Sequence, residues 1–262
     1  MTGKRGLIMG VANDHSIAWG IAKSLHSQGA ELAFTYQGSA FERRVKPLAA
    51  SLGSDILLPC DVDSDEAIQG VFDEVGERWG KLDFVVHAIA YSDKEELRGL
   101  YLDTSRSNFS RTMAISCYSF TAVARSAAPL MQDGGALLTL SYLGAEKVTP
   151  NYNVMGVAKA ALEASVRYLA VDLGDQGVRV NAISAGPMRT LAGSAISDAR
   201  FVFGWTRDHA PLNRNVMLDE VGKAGLYLTS DLSMGVTGEV HHVDCGYSVV
   251  GIPSPRRMRK DG

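Results

Sequence analysis

The sequence predicts an α/β fold: a doubly wound, mostly parallel sheet with helices on both faces, built as a single domain. Three observations predict it. Short apolar runs alternate with longer amphipathic segments along most of the chain. No internal repeat, low-complexity linker or break in composition divides it. Its 262 residues, 46% apolar and 21% charged, suffice for one large hydrophobic core. Right-handed crossovers between parallel strands then leave little freedom for any other arrangement.

The elements follow in order. Gly6-Leu7-Ile8-Met9 is an apolar run of strand length, and residues 16–28 after it read as a helix. Glu31-Leu32-Ala33-Phe34-Thr35-Tyr36 with 39–52 repeats the pair, as does Asp55-Ile56-Leu57-Leu58-Pro59 with 64–79. Phe84-Val85-Val86-His87 leads into a longer helix over 107–128, and Ala136-Leu137-Leu138-Thr139-Leu140 into one over 152–174. Val178-Arg179-Val180-Asn181-Ala182-Ile183 is followed by helices over 195–209 and 218–229, and Glu239-Val240-His241-His242-Val243 is the last strand.

Bulk composition excludes several functions. A formal charge of -3 gives no reason to expect a nucleic-acid partner, and Arg256-Arg257-Met258-Arg259-Lys260 reads as a solvated end of a flexible tail starting near residue 253. Cys60, Cys117 and Cys245 are odd in number and far apart, which fits a reducing compartment better than a disulfide scaffold or a zinc site. His241 and His242 are neighbours on a strand and point to opposite faces, so they do not readily share a metal. No basic segment leads into an apolar one, and no run of 18 apolar residues occurs. The expectation is a cytoplasmic chain with no membrane span.

In a doubly wound sheet, ligands sit at the carboxyl ends of the strands, where a dinucleotide's pyrophosphate rests on free helix N–H groups. Gly10 to Ser16 form the first strand-to-helix turn of such a Rossmann-type crevice. Gly10 permits a tight turn, and Ser16 offers a hydroxyl and its N–H; the alternative is a plain loop in which Asp14 or Ser16 only caps the helix. The pattern is not GxGxxG. After the second strand, Gln37 stands where many such folds place an acid for the ribose hydroxyls. Arg43 and Arg44 come later, inside the next helix, which favours NADH over NADPH. Asp61-Val62 and His87-Ala88-Ile89-Ala90 end the third and fourth strands at the same edge.

Tyr152 and Lys159 are seven residues apart, nearly two turns if the segment is helical, so both side chains would share a face. A phenol beside an ammonium forms an acid site in which the cation favours phenolate character and can hold sugar hydroxyls. A buried aromatic against a lysine stem is the plainer alternative. Tyr142 lies ten residues upstream.

Together, Gly10-x5-Ser16-Ile17-Ala18-x-Gly20-Ile21-Ala22, Phe34-Thr35-Tyr36-Gln37, Asp61-Val62, Tyr142-x9-Tyr152-x6-Lys159 and Asn181-Ala182-Ile183-Ser184-Ala185-Gly186-Pro187 resemble the short-chain dehydrogenase/reductase superfamily. Six residues between tyrosine and lysine, rather than three, resemble one branch: the bacterial NADH-dependent enoyl-acyl-carrier-protein reductases (type I) of type II fatty acid synthesis. The resemblance runs from about residue 4 to Tyr247. It implies that Tyr152 bonds the thioester carbonyl as it becomes an enolate, that Lys159 holds the nicotinamide ribose, and that Tyr142 acts near the fatty chain as a second acid or gate. It also implies that Gly10, Ser16, Ile17, Gln37, Asp61, Val62, Ile89 and Met188-Arg189-Thr190-Leu191 hold the dinucleotide, with Ser92 beside the substrate.

The partners so implied are an enoyl thioester on acyl carrier protein and further copies of the chain in a homotetramer. A segment near 190–209 would cover the substrate. The chain departs from the family at Ala90-Tyr91, where Gly-Phe is usual, and at Cys245, where glycine is common; the covering segment is also less basic than in many relatives. Two other functions compete. One is a carbonyl/alcohol reductase of the same superfamily, which the six-residue spacing opposes. The other is a non-catalytic dinucleotide-binding protein, which the retained tyrosines and lysine oppose.

Overall fold

The computed structural model describes residues 1–190 and 199–252. Strands β1 (Arg5–Met9), β2 (Glu31–Tyr36), β3 (Leu57–Pro59), β4 (Phe84–His87), β5 (Gly135–Ser141), β6 (Val178–Ala185) and β7 (Val240–Val243) form one seven-stranded sheet in the order β3-β2-β1-β4-β5-β6-β7. Every neighbouring pair is parallel. The order reverses between β1 and β4, which opens a crevice at their carboxyl ends.

Side-chain alternation explains both cores. Leu7 and Met9 of β1, Val85 of β4, Leu137 of β5 and Val180 of β6 face α3 (Asp65–Trp79), α5 (Ser119–Ala127) and α6 (Asn153–Gly174). Ile8, Phe84, Val86, Leu138 and Ile183 face the other way, onto α1 (Ile17–His26), α2 (Gly38–Ser51) and α8 (Leu218–Thr229). Strands covered on both faces have no polar side to show, so they read in sequence as continuous apolar runs.

Two expectations need correcting. The helix expected over 107–128 is interrupted: α4 (Arg106–Met113) passes into a π-helical turn at Ala114–Tyr118 before α5 begins. Apolar periodicity does not register one widened turn, because the helix axis continues through it. The strand expected over Asp55–Pro59 is paired only at Leu57–Pro59, on the sheet edge where a proline is tolerated. In the 195–209 region, α7 (Ala199–His209) is described, whereas the preceding residues and the tail from 253 lie outside the described residues. No helix among the described residues is long and apolar enough to cross a membrane.

Candidate active site

A cleft of about 1590 Å³ runs along the carboxyl ends of β1, β2, β4, β5 and β6. At its floor, Gly10 has φ 98°, and a side chain there would meet the Ala88 carbonyl oxygen at 2.1 Å. Only glycine allows β1 and β4 to approach so closely at the turn. Ser16 sits at the N-cap of α1, yet its hydroxyl accepts from Ala12 N–H (3.0 Å) and Asn13 N–H (3.1 Å) of the loop instead of capping the helix. The first helical amides, with Ile17 in front, are therefore left toward the cleft without a side-chain cap, as an anion-binding helix terminus requires.

The remaining cofactor-side residues fall along the same cleft. Gln37 is exposed at its rim, and Asp61 and Val62, after β3, and Ile89, after β4, line the same cleft. Arg43 donates to the Ser39 carbonyl and Arg44 lies over the Phe41 ring, so both guanidinium groups are engaged on α2. Met188, Arg189 and Thr190 line the opposite wall beyond β6, with Arg189 over the Phe203 ring at 5.1 Å. Leu191 lies outside the described residues. Among the described residues, no group of three His, Cys, Asp or Glu side chains is placed to hold a metal.

Tyr152, Tyr142 and Lys159 meet in the cleft beyond β5. Tyr152 is not two turns along a helix from Lys159, as the spacing suggested; it is the N-cap of α6, and Asn153 after it is left-handed (φ 38°). A turn therefore aims the phenol, while the helix places only Lys159. The ring is held tightly. It meets Tyr142 edge-on with centroids 5.0 Å apart, and it packs in a small cluster with Leu97, Val154 and Met155. A methyl group on Gly144 would come within 2.3 Å of the ring. Asn153 ties the cluster to the preceding loop by donating to the Leu97 carbonyl at 3.0 Å.

Lys159 is buried, and its ammonium donates to the Leu140 carbonyl of β5 at 2.7 Å. Beside it, Ser141 donates to Glu163, a buried acid one turn further along α6. Burial governs all four ionisations. It lowers the lysine to about 8, against the opposing pull of Cys117 and Glu163, and raises the Glu163 carboxyl. It raises the Tyr152 phenol, with Tyr142 and Glu163 adding to the rise, and pushes Tyr142 up to about 12. For Tyr152 burial thus favours the phenol over the phenolate character expected of it. A neutral, buried Tyr152 hydroxyl lining the cleft is suited to donate a hydrogen bond where negative charge develops.

Sequence reasoning missed Glu163, Leu97 and the polar face of α4 described below. Glu163 had a signal, an acid four residues after Lys159 on the buried side of the helix; Leu97 had none, since it sits in a loop.

The chain is similar to known proteins along almost its whole length. The family model described as enoyl-(acyl carrier protein) reductase matches residues 10–248. Over 259 residues the chain is 66% identical to the NADH enoyl-[acyl-carrier-protein] reductase 2 of Rhizobium meliloti (strain 1021), covering 99% of this chain and 97% of that one. The crystal structure of an enoyl-(acyl-carrier-protein) reductase from Anaplasma phagocytophilum in complex with NAD is 62% identical, with a TM-score of 0.94 and 97% of each chain covered. One from Bacillus cereus, bound to NADP+ and an indole naphthyridinone, is 50% identical with a TM-score of 0.94, covering 96% of this chain and 98% of that one. The chain belongs to the enoyl-acyl-carrier-protein reductase family.

Proposed function

We infer that the chain reduces trans-2-enoyl thioesters carried on acyl carrier protein, with NADH as cofactor, in fatty acid synthesis. The observation that carries this reading is a buried, neutral Tyr152 phenol packed on Tyr142, sharing one cleft with Lys159 and an uncapped helix terminus. Bound NADH would supply hydride to the substrate β-carbon. Negative charge then gathers on the thioester oxygen, where a donated Tyr152 hydrogen bond stabilises the transition state more than the ground state. Lys159 is assigned to the nicotinamide ribose hydroxyls, and Tyr142 to the cleft beside the acyl chain. Gly10, Ser16, Ile17, Gln37, Asp61, Val62, Ile89 and 188–191 are assigned to the dinucleotide.

The segment 190–209 is assigned to covering the substrate. Support comes from α7, whose Arg200, Phe203 and Arg207 line the cleft. The assembly is assigned as a homotetramer. The deciding assay follows absorbance of NADH with a crotonyl thioester, with a ketone panel and with no substrate. Oxidation by the thioester alone is expected; turnover of ketones alone would make the chain a carbonyl reductase, and no turnover would make it non-catalytic. NADH is expected to give the higher kcat/KM, and a preference for NADPH would overturn the reading of Gln37.

A further inference from the structure

The π-helical turn continues a polar ladder that the dinucleotide reading does not use. Asn108, Thr112 and Ser116 stand four residues apart on α4 and the turn, and all three are buried. A buried row of amide and hydroxyl groups on a helix is costly unless each finds a partner. Each finds it in one place, the loop Tyr91-Ser92-Asp93 that follows β4 and lines the cleft. Ser116 accepts from Tyr91 N–H and donates to the Tyr91 carbonyl, both at 2.9 Å. Asn108 Oδ1 accepts from Asp93 N–H at 3.0 Å, which fixes the orientation of its amide.

Between these clamps sits Ser92. Its Oγ receives Thr112 Oγ1 at 2.9 Å and Asn108 Nδ2 at 3.2 Å. Thr112 has a single hydroxyl proton, and the Ser92 contact is shorter than its 3.3 Å approach to Asn108 Oδ1. Two donors fill both lone pairs of the serine oxygen. The serine's own proton goes to Asn108 Oδ1 at 3.3 Å, on the lone pair left by the Asp93 amide, a long contact that a carbonyl oxygen in the cleft can replace. The far end of the ladder is closed as well: Ser105, the N-cap of α4, is bonded through its N–H and hydroxyl to the Glu96 carboxylate at 2.9 and 2.8 Å.

We propose that Asn108, Thr112 and Ser116 are positioning residues that hold the 91–93 loop and turn the Ser92 hydroxyl into a hydrogen-bond donor for a carbonyl acceptor of the thioester substrate. The proposal rests on the enoyl thioester reading of the same cleft. It assigns Ser92 a donor role that depends on Thr112 and adds substrate affinity without touching the dinucleotide.

A double-mutant cycle tests it, with KM and kcat measured on crotonyl thioester and NADH affinity measured by fluorescence. Ser92→Ala and Thr112→Val should each raise KM for the thioester roughly 3- to 10-fold, the worth of one neutral hydrogen bond, and leave NADH affinity unchanged. The double variant should be no worse than Ser92→Ala alone, since both remove the same donor. Thr112→Ser, which keeps the hydroxyl, should restore the parent KM. Multiplying effects in the double variant, an unchanged KM in both single variants, or a KM still raised in Thr112→Ser would each overturn the proposal.

Amide hydrogen exchange gives a readout independent of turnover. Ser116→Ala should speed exchange at Tyr91 and Asn108→Ala at Asp93; unchanged rates at both would overturn the clamp. If the parent fails to oxidise NADH with the thioester while the exchange effects appear, the enoyl reading fails and the clamp stands.

Discussion

At the residue scale, the site rests on moving two ionisable groups out of water. Tyr152 stays neutral because burial penalises its anion, and Lys159 is left with a proton it holds only to about pH 8. These states divide the labour. Tyr152→Phe should lower kcat by about 10²–10³, the usual loss for one donor to a developing oxyanion, with NADH affinity nearly unchanged. Lys159→Ala should weaken NADH binding about ten- to a hundred-fold, because a charge-assisted hydrogen bond is lost. Fluorescence titration of both variants decides; NADH bound as tightly by Lys159→Ala as by the parent would remove the lysine from the ribose.

The lysine also sets a pH dependence. Its folded value is depressed from 10.5 to about 8, so between these values the unfolded chain binds more protons, and stability rises with pH across that window. NADH affinity should move the other way, falling as pH rises through about 8 and the ammonium is lost. A flat affinity from pH 7 to 9.5 would contradict it. His87 is a second buried base, held between Thr139 and Ser119 and lowered to about 3, first by burial and then by Lys159. Its contribution is complete above pH 6.5 and drains away as pH falls from there toward 3.

At the scale of elements, α1 and α8 show how small residues set the distance between helices. A methyl group on Gly222 would meet the Gly20 carbonyl oxygen at 2.5 Å, and one on Gly225 would meet Ile21 at 2.8 Å. Alanine at 222 gains helix propensity worth about 1 kcal/mol. It also forces α8 off α1, the helix whose N-terminus faces the cleft, and overpacking typically costs about 1–3 kcal/mol. Gly222→Ala should therefore lower Tm and weaken NADH binding together; a higher Tm with unchanged binding would show that the helices separate freely. The segment assigned as a cover gives another expected outcome. NAD with a bound inhibitor should raise hydrogen-exchange protection across 190–209, and identical protection with and without ligand would remove that assignment.

At the scale of the whole molecule, α6 carries one face toward the sheet and leaves Tyr168 and Val171 about four-fifths exposed on the other. Large apolar side chains at helical spacing on a solvent face suit pairing with a second copy across a two-fold axis. Light scattering at micromolar concentration should report a mass near four times 28.1 kDa, and a 28.1 kDa particle would exclude the tetramer.

The sequence by itself determined the alternation of strands and helices, the single parallel sheet and the first-turn crevice. Burial on both sheet faces leaves an unmistakable trace in apolar runs such as Phe84-Val85-Val86, and tight turns leave theirs in glycines such as Gly10. Gly10, Asp61 and Ile89 were legible for the same reason, since they follow strand ends, whereas Tyr152 and Lys159 were legible from their spacing at the start of α6. Tertiary structure alone decided the rest. Whether Tyr152 is phenol or phenolate depends on what covers it, and Leu97 and the Tyr142–Gly144 run come from two separate places in the chain. The widened turn at Ala114–Tyr118 and the ladder of Asn108, Thr112 and Ser116 read in sequence as an ordinary helix. Their partners lie 15 to 25 residues away in a loop, and only the folded chain brings these buried hydroxyl and amide groups to the loop groups that satisfy them.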